Sequence, residues 1–412
     1  MISSALIGTW LSMGIWKNTC FTRFFTSFTI NSFGDWFDIF ALQIIFVYQW
    51  GATPIMQSFL LLAFFLPSII LSPYAGVIAD RLNLRNIMVY TDILAAFLTA
   101  ALVLIHSIMV ALTLIIIRSC IVSFTGPAQQ AYIKHIVVDE HLLKASSYTT
   151  IVGQIGKITG PMLGAVILTI ATPRTCLAIN AASYAFSALI LIGLPKGERT
   201  KDLVQDTQKG FKRLGEGIQY IWHRPIIRFT LMLVTVWLFV SLSRQVQLAI
   251  FLNHLFPQQQ NALGWFMGFD GLGVVLISTL LTRQTTIKNY ALSFFSGFIL
   301  LGLGILGVAI YQSSWPPYLL YLTAVITGMG TGFLLINYGY IIKKQTPKEH
   351  MGRVSGTASS LQNLAAMLGT LTSGFLVMAL GVRTFYVTLA VITAVLALIA
   401  LIGFSKLQAS QA

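Results

Sequence analysis

Charged side chains are scarce in this chain of 412 residues, of which Asp, Glu, Lys and Arg together make up only 9%. Apolar and aromatic types make up 56%. Soluble globular domains carry about 25% charged residues, so the composition excludes an ordinary water-soluble protein. Cysteine is also rare. Cys20, Cys120 and Cys176 are too scattered to predict a disulfide framework or a metal site, and no metal or cofactor is predicted.

Nucleotide-binding signatures are lacking as well. Gly302–Gly307 fits G-x-G-x-x-G, but it lies inside an apolar run that no strand precedes. Gly156–Lys157 resembles part of a P-loop, but Ile158 follows the lysine and Ile151 occupies the position of the first glycine. The sequence therefore predicts neither an enzyme nor an ATPase.

Long apolar runs fill the chain, and each has about the 20 residues that a helix needs to cross a bilayer. We predict an all-α membrane protein with twelve transmembrane spans, numbered in chain order. Their centres lie near residues 36, 66, 98, 119, 160, 184, 240, 272, 300, 329, 367 and 394.

The 26 Lys and Arg residues are distributed unevenly between the two sets of connecting segments. Arg174 and Arg383 are the only cations in one set, and Arg118, Lys157 and Arg244 lie within predicted spans; all others belong to the opposite set or to the termini. Segments rich in Lys and Arg stay cytoplasmic. Both termini are therefore predicted to lie in the cytoplasm, and the spans are predicted to contact membrane lipid. The cations are too dispersed to indicate a nucleic-acid partner.

A polar segment divides the chain into two halves. We predict an interfacial or cytoplasmic segment at 1–20, without a cleavable signal peptide, six-helix bundles at 21–194 and 227–405, and a tail at 406–412. Between the bundles, residues 195–226 combine basic residues with apolar residues at helical spacing. Two interpretations remain open for this linker: an amphipathic helix on the inner leaflet or a plain solvated connection.

The two halves resemble each other at an offset of 209 positions. The segment 140–146 then falls on 349–355, Gly160 on Gly369, and Arg174 on Arg383. Several matches at one offset, in segments of equivalent topology, predict two pseudo-symmetric bundles. In transporters built this way, the substrate site lies near the middle of the membrane between the repeats.

The segment that joins spans 2 and 3 resembles the G-x-x-x-D-R-x-G-R-R signature of the major facilitator superfamily. Asn83 and Leu84 depart from it. The resemblance implies the twelve-helix major facilitator fold and a cytoplasmic gate at this loop, although an ordinary positive-inside loop would also account for the arginines. The matching positions are Gly76, Asp80, Arg81 and Arg85.

Span 5 is similar to the G-x-x-x-G-P-x-x-G-G motif of exporters in that superfamily, with Ala165 in place of the last glycine. Small residues four apart let helices approach closely, and a proline can kink the helix, so simple helix packing is the alternative. Further likeness, for example at 32–36 and 126–131, is to the branch that contains the enterobactin exporter and macrolide-efflux-type permeases. The motif residues are Gly156, Gly160, Pro161 and Gly164.

Charged residues inside spans are the candidate site residues, because an unpaired charge at mid-bilayer costs roughly 2.5–3.5 kcal/mol. Asp35 and Asp38 share one face of span 1, and Asp35 falls on Arg244 at the 209 offset. We predict Asp35 as the proton-coupling carboxylate, against the alternative of a static Asp–Arg pair. The candidate cavity residues are Asp35, Asp38, Arg118, Lys157, Arg244, Gln245, Gln247 and Asp270.

The resemblance implies a secondary transporter of the bacterial inner membrane that exports a small molecule while protons move inward. Because cations, amides and aromatic rings would suit an anionic chelator, siderophore export leads. Drug or macrolide efflux is the alternative, followed by import of a nutrient or ferric siderophore, and then by a membrane scaffold or sensor. A monomer is compatible with each of these functions.

The charge asymmetry generates a test of orientation. Arg174→Cys and Arg383→Cys, in a chain whose three native cysteines are replaced, should react with a membrane-impermeant maleimide in intact cells. Lys196→Cys is the control and should react only after permeabilisation. Labelling of either arginine position only in permeabilised cells would contradict the predicted topology.

Overall fold

The computed structural model describes residues 15–195, 218–281 and 289–409, apart from the side chains at 72, 73, 76–81, 139, 348, 349, 352 and 409. Within these ranges the protein is helical without strands, and twelve helices are long and apolar enough to cross a membrane. The predicted all-α membrane fold is confirmed. Most of the predicted linker and of the 1–20 segment lies outside the described residues.

The helices of the first half begin and end at the following residues. Span 1 is Thr19–Ile44, continued by a π-helical turn at Ile45–Gln49; span 2 is Pro54–Arg81; span 3 is Leu84–Leu104; span 4 comprises Ile108–Val122 and Thr125–Ile136; span 5 is Asp139–Ile167; span 6 is Pro173–Ile192. In the second half, spans 7 to 12 are Pro225–Leu255, Ala262–Leu281, Tyr290–Ile310, Pro317–Gln345, Lys348–Leu380 and Val382–Ala409.

Local sequence signals set many of these helix ends. Spans 2, 6, 7 and 10 begin at a proline, which suits the first helical position because its missing N–H would have no partner there. Asn18, Asn83 and Asn289 cap spans 1, 3 and 9 by accepting hydrogen bonds from backbone N–H groups of the first turn. Gly381, at φ 77°, ends span 11 in a left-handed conformation that favours glycine.

The chain forms two compact units. One comprises residues 1–51 and 63–205, and the other comprises 52–62 and 206–412. In the first unit, spans 3 and 6 pack together and span 1 packs against spans 5 and 6. In the second unit, the equivalent spans 9 and 12 pack together and span 7 packs against spans 11 and 12. The shared packing scheme agrees with the repeat predicted from the sequence.

The small residues of span 5 lie against span 1 within the first unit. A Cβ atom added at Gly156 would lie 3.2 Å from the Ser32 carbonyl oxygen, and one at Gly160 would lie 2.6 Å from the Trp36 Cβ. Gly164 faces the ring of Phe40 in the same way. The glycines therefore allow spans 1 and 5 to approach closely, as small residues do in membrane helices.

The repeat extends to individual contacts. Gly369, the equivalent of Gly160, lies against span 7, where Ser243 Oγ donates to its carbonyl oxygen at 2.9 Å. Arg174 Nη2 donates to the Ile105 carbonyl at 3.5 Å, at the end of span 3. Arg383, its equivalent, donates to the Tyr311 carbonyl at 3.3 Å, at the end of span 9. Each arginine thus satisfies a terminal carbonyl and places its charge at a helix C-terminus.

The close approach at Gly160 predicts a stability effect. Gly160→Ala should lower the melting temperature of the purified protein, because overpacking against Trp36 costs about 1–3 kcal/mol, more than the gain of about 1 kcal/mol in helix propensity. Gly153→Ala is the matched control on the same helix, since a Cβ there meets nothing within 4 Å, and it should be neutral or stabilising. Equal thermal shifts for the two variants would contradict the packing account.

Candidate functional site

A buried ion pair joins spans 1 and 4 of the first unit. Arg118 of span 4 donates from Nη2 to Asp38 Oδ2 of span 1 at 2.5 Å, and both side chains are at most 4% exposed. Arg118 also donates to Thr99 Oγ1 at 3.0 Å, and its guanidinium lies 5.3 Å from the ring centre of Phe64. The two charges neutralise each other, so neither remains isolated in a low-dielectric environment.

Asp35 lies on the same helix but has a different environment. Its Oδ1 accepts a hydrogen bond of 2.5 Å from the Tyr184 hydroxyl of span 6, and its side chain is only partly buried. Among the described residues, neither ion pair includes Asp35. The structure therefore separates the two carboxylates that the sequence places together: Asp38 is bound to a cation, and Asp35 is held by a neutral hydroxyl.

A third carboxylate belongs to the same set of helices. Asp92 of span 3 accepts hydrogen bonds from Asn31 of span 1 and Ser187 of span 6. Sequence reasoning missed this cluster because its members come from three helices that are far apart in the chain. The available sequence signal was that Asp92 interrupts the apolar run of span 3 and Ser187 interrupts that of span 6.

Arg85 contacts the end of span 6. Its Nη1 lies 3.4 Å from the Ile192 carbonyl oxygen and 3.2 Å from that of Leu194. The arginine therefore caps the C-terminus of a helix in its own unit. The side chains of Gly76, Asp80 and Arg81 lie outside the described residues, and the gate assigned to this motif stays a prediction.

The second unit contains another ion pair. Arg244 Nη2 of span 7 lies 3.4 Å from Asp270 Oδ1 of span 8. The Tyr386 hydroxyl of span 12 donates to the Arg244 carbonyl oxygen at 2.9 Å. Although Asp35 and Arg244 are equivalent in the repeat, each bonds to a partner within its own unit.

The remaining predicted cavity residues are dispersed. Gln247 is buried in the second unit, where its Nε2 lies within 3.1 Å of the Pro54 carbonyl and of Ser58 and Ser373 hydroxyls. Gln245 is partly exposed, and Lys157 is exposed with its Nζ 5.8 Å from the Trp36 ring centre. Within the described ranges, no three His, Cys, Asp or Glu side chains are placed to hold a metal.

Comparison with known proteins places these features in a family. The model of the Major Facilitator Superfamily matches residues 24–282 and 248–410. The uncharacterized MFS-type transporter YfiS of Bacillus subtilis (strain 168) is 29% identical over 91% of this chain and 91% of its own length. The multidrug efflux pump Tap of Mycolicibacterium fortuitum is 23% identical over 83% of this chain and 86% of its own length. Macrolide efflux protein A of Streptococcus pyogenes is 22% identical over 78% of this chain and 80% of its own length.

A solved structure shows the same fold. The bacterial homolog of the human lysosomal transporter Spinster, in an inward-facing and unoccupied conformation, superimposes with a TM-score of 0.72. The alignment covers 94% of this chain and 98% of that chain, at 13% sequence identity.

The Asp38–Arg118 pair predicts strong thermodynamic coupling. Asp38→Asn should lower stability by on the order of 3 kcal/mol, because it leaves the Arg118 guanidinium buried without a counterion. Arg118→Met should also destabilise. The double variant should recover much of the loss, since it removes both charges.

Thermal unfolding of the four purified proteins would measure this coupling as a double-mutant cycle. Strictly additive losses would show that the two side chains do not depend on each other.

Proposed function

Because this chain belongs to the Major Facilitator Superfamily, we propose that it is a secondary active exporter that exchanges a small organic molecule for protons. The chain is a multi-pass membrane transporter and not an enzyme. Two of its relatives are named as efflux pumps, one for macrolides and one for multiple drugs. The position of Asp35 carries the proposal: this partly exposed carboxylate in a membrane span bonds to a neutral hydroxyl.

Asp35 is the proton-coupling residue in this proposal. A carboxylate in a membrane span has a high free-energy cost when it is charged and a low one when it is protonated. Binding of a proton to Asp35 can therefore stabilise the transporter when no substrate is bound. Asp38 is less suited to this role because Arg118 already neutralises it. Lipophilic amines could replace the proton as the positively charged partner of Asp35, which would couple drug binding to proton release.

The charge pattern favours a drug-like substrate over an anionic siderophore. The siderophore hypothesis depended on Arg118, Lys157 and Arg244 as anion-binding groups. Arg118 and Arg244 each bond to a carboxylate in their own unit, which reduces their attraction for an anion. The names of the efflux relatives support the same choice, and siderophore export stays the second candidate.

The membrane orientation completes the proposal. We place the protein in the cytoplasmic membrane with both termini inside, because the basic segments then face the cytoplasm. Alternating access to the two sides of the membrane is the mechanism of other secondary transporters that are built from repeats.

Asp35→Asn should abolish proton-driven transport. Asparagine keeps the size of the side chain and an oxygen that can accept from Tyr184, so the variant should fold, but it cannot bind and release a proton. In proteoliposomes with an imposed pH gradient, accumulation of a radiolabelled macrolide should fall to the level of protein-free liposomes.

The control is macrolide exchange in the same Asp35→Asn vesicles without a gradient, which should persist at a raised half-saturation concentration, because exchange needs no proton but the neutral asparagine binds the amine more weakly. Tyr184→Phe removes one hydrogen bond and should weaken coupling without abolishing it. Undiminished proton-driven accumulation in Asp35→Asn would contradict the assignment.

The substrate classes can be separated in cells with and without the gene. Loss of the gene should lower the inhibitory concentration of macrolides. Under iron limitation, the secreted chelators in the medium should be unchanged. Loss of a secreted chelator with unaltered macrolide sensitivity would instead select the siderophore exporter.

A further inference from the structure

Asp92 is a buried carboxyl group to which the proposed transport cycle assigns no role. It lies about 12 Å along span 3 from Leu84, and only 2% of the residue is exposed. Asn31 Nδ2 donates to its Oδ2 at 3.0 Å, and Ser187 Oγ donates to the same oxygen at 2.5 Å. Ser187 also bonds to Ser27 Oγ at 2.6 Å and to Asn31 at 3.0 Å.

Asp92 differs from the paired carboxylates in having only neutral partners. Arg118 neutralises Asp38 and Arg244 bonds to Asp270, whereas no cation among the described residues lies within ion-pair distance of Asp92. A charged carboxylate without a counterion at this depth costs several kcal/mol. A bound proton removes that cost.

The titratable groups around Asp92 include no free cation. Spans 4 and 6 pack against span 3, and span 1 reaches it through Asn31. Asp35 of span 1 is partly buried, and the buried titratable groups of these helices are Cys20 and Asp38 of span 1, Arg118 and Tyr132 of span 4, and Cys176 and Tyr184 of span 6. The only cation in this set, Arg118, bonds to Asp38 and Thr99. Asp35 is the member close enough to interact electrostatically with Asp92, and it has the same sign of charge.

The partners of Asp92 can serve both of its protonation states. A serine hydroxyl can donate or accept, and an asparagine amide presents two donors on one side and an acceptor on the other. The Asn31 Oδ1 atom is buried and accepts no hydrogen bond from the described residues. If the amide flips, Oδ1 can accept the proton of a neutral Asp92, whereas Nδ2 donates to the charged form. A carboxylate that stayed charged would need only hydrogen-bond donors, whereas partners that can also accept suit a group that gains and loses a proton.

The cluster also adjoins the proposed coupling residue. Asn31 and Asp35 are one helical turn apart on span 1, and Tyr184 and Ser187 are one turn apart on span 6, so each pair shares a helix face. The Asp35–Tyr184 contact and the Asp92 cluster are therefore neighbouring polar contacts between the same helices.

We propose that Asp92, held by Asn31, Ser187 and Ser27, is a second proton-binding site of this transporter. The reaction is the binding of one proton to the Asp92 carboxylate and its later release, with no other bond formed or broken. Because the two carboxylates repel each other when both are charged, a proton on either favours the negative charge on the other. The role in coupling rests on the proposed function, but proton binding itself does not.

Infrared spectroscopy of the purified full-length protein tests proton binding without substrate. The difference spectrum between acid and alkaline pH should contain a carbonyl band of a protonated carboxyl group that shifts in D₂O. Asp92→Asn should remove this band. Glu140→Gln, which removes an exposed carboxyl group of the same unit, is the matched control and should retain it. Asp35→Asn should remove a different band.

A second variant covers the case in which Asp92→Asn does not fold. Ser187→Ala removes one hydrogen bond to Asp92 and should shift the frequency of the same band while leaving its amplitude. An unchanged band in both variants would overturn the proposal, as would a band that does not titrate.

Transport measurements separate this proposal from the proposed function. If the Asp92 band titrates but macrolide accumulation is absent in wild-type vesicles, the proton site stands and the proposed function fails. If transport is normal and proton-driven but no band is lost in Asp92→Asn, the proposed function stands and the second proton site is wrong.

Discussion

The cost of placing charge in a membrane constrains this structure most strongly. The Arg118 guanidinium is almost completely buried, and it is tolerated because Asp38 lies 2.5 Å away. This contact joins span 1 to span 4, and Thr99 of span 3 adds a further hydrogen bond. Three helices of the first unit are thereby fixed relative to one another, and the remaining polar groups are arranged around them.

Once Arg118 is bound to Asp38, the carboxylates of Asp35 and Asp92 depend on neutral partners. Asp35 bonds to a tyrosine hydroxyl, and Asp92 bonds to an amide and a serine hydroxyl. Groups of this kind can exchange donor and acceptor roles, whereas a guanidinium cannot. One unit therefore contains both a fixed ion pair suited to holding helices together and carboxyl groups suited to binding protons. The second unit, with Arg244 and Asp270, has an ion pair at the equivalent helix.

The two repeats share backbone packing more than polar chemistry. Gly160 and Gly369 both allow close approach of the first and fifth helix of their repeat. Arg174 and Arg383 both bond to a carbonyl at the end of a neighbouring helix. By contrast, Asp35 and Arg244 occupy equivalent positions with opposite charge and different partners. Packing is constrained equally in both repeats because the helix geometry is the same, whereas the polar side chains are free to diverge.

The sequence by itself determined the number of spans, the repeat and the family, because the length of apolar runs and the spacing of glycines are local properties of the chain. The length of an apolar run must match the thickness of the bilayer, and the glycine spacing determines where helices can pack closely. It also indicated which charges lie within spans, including Asp35, Asp38 and Arg118. Only the tertiary structure decided which of them pair. Asp35 and Asp38 lie on one helix face at similar depth, and the positions of Arg118 and Tyr184 on other helices determine their different environments. The Asp92 cluster combines residues far apart in the chain, so a local pattern could mark Asp92 as a charge within a span but could not identify its partners.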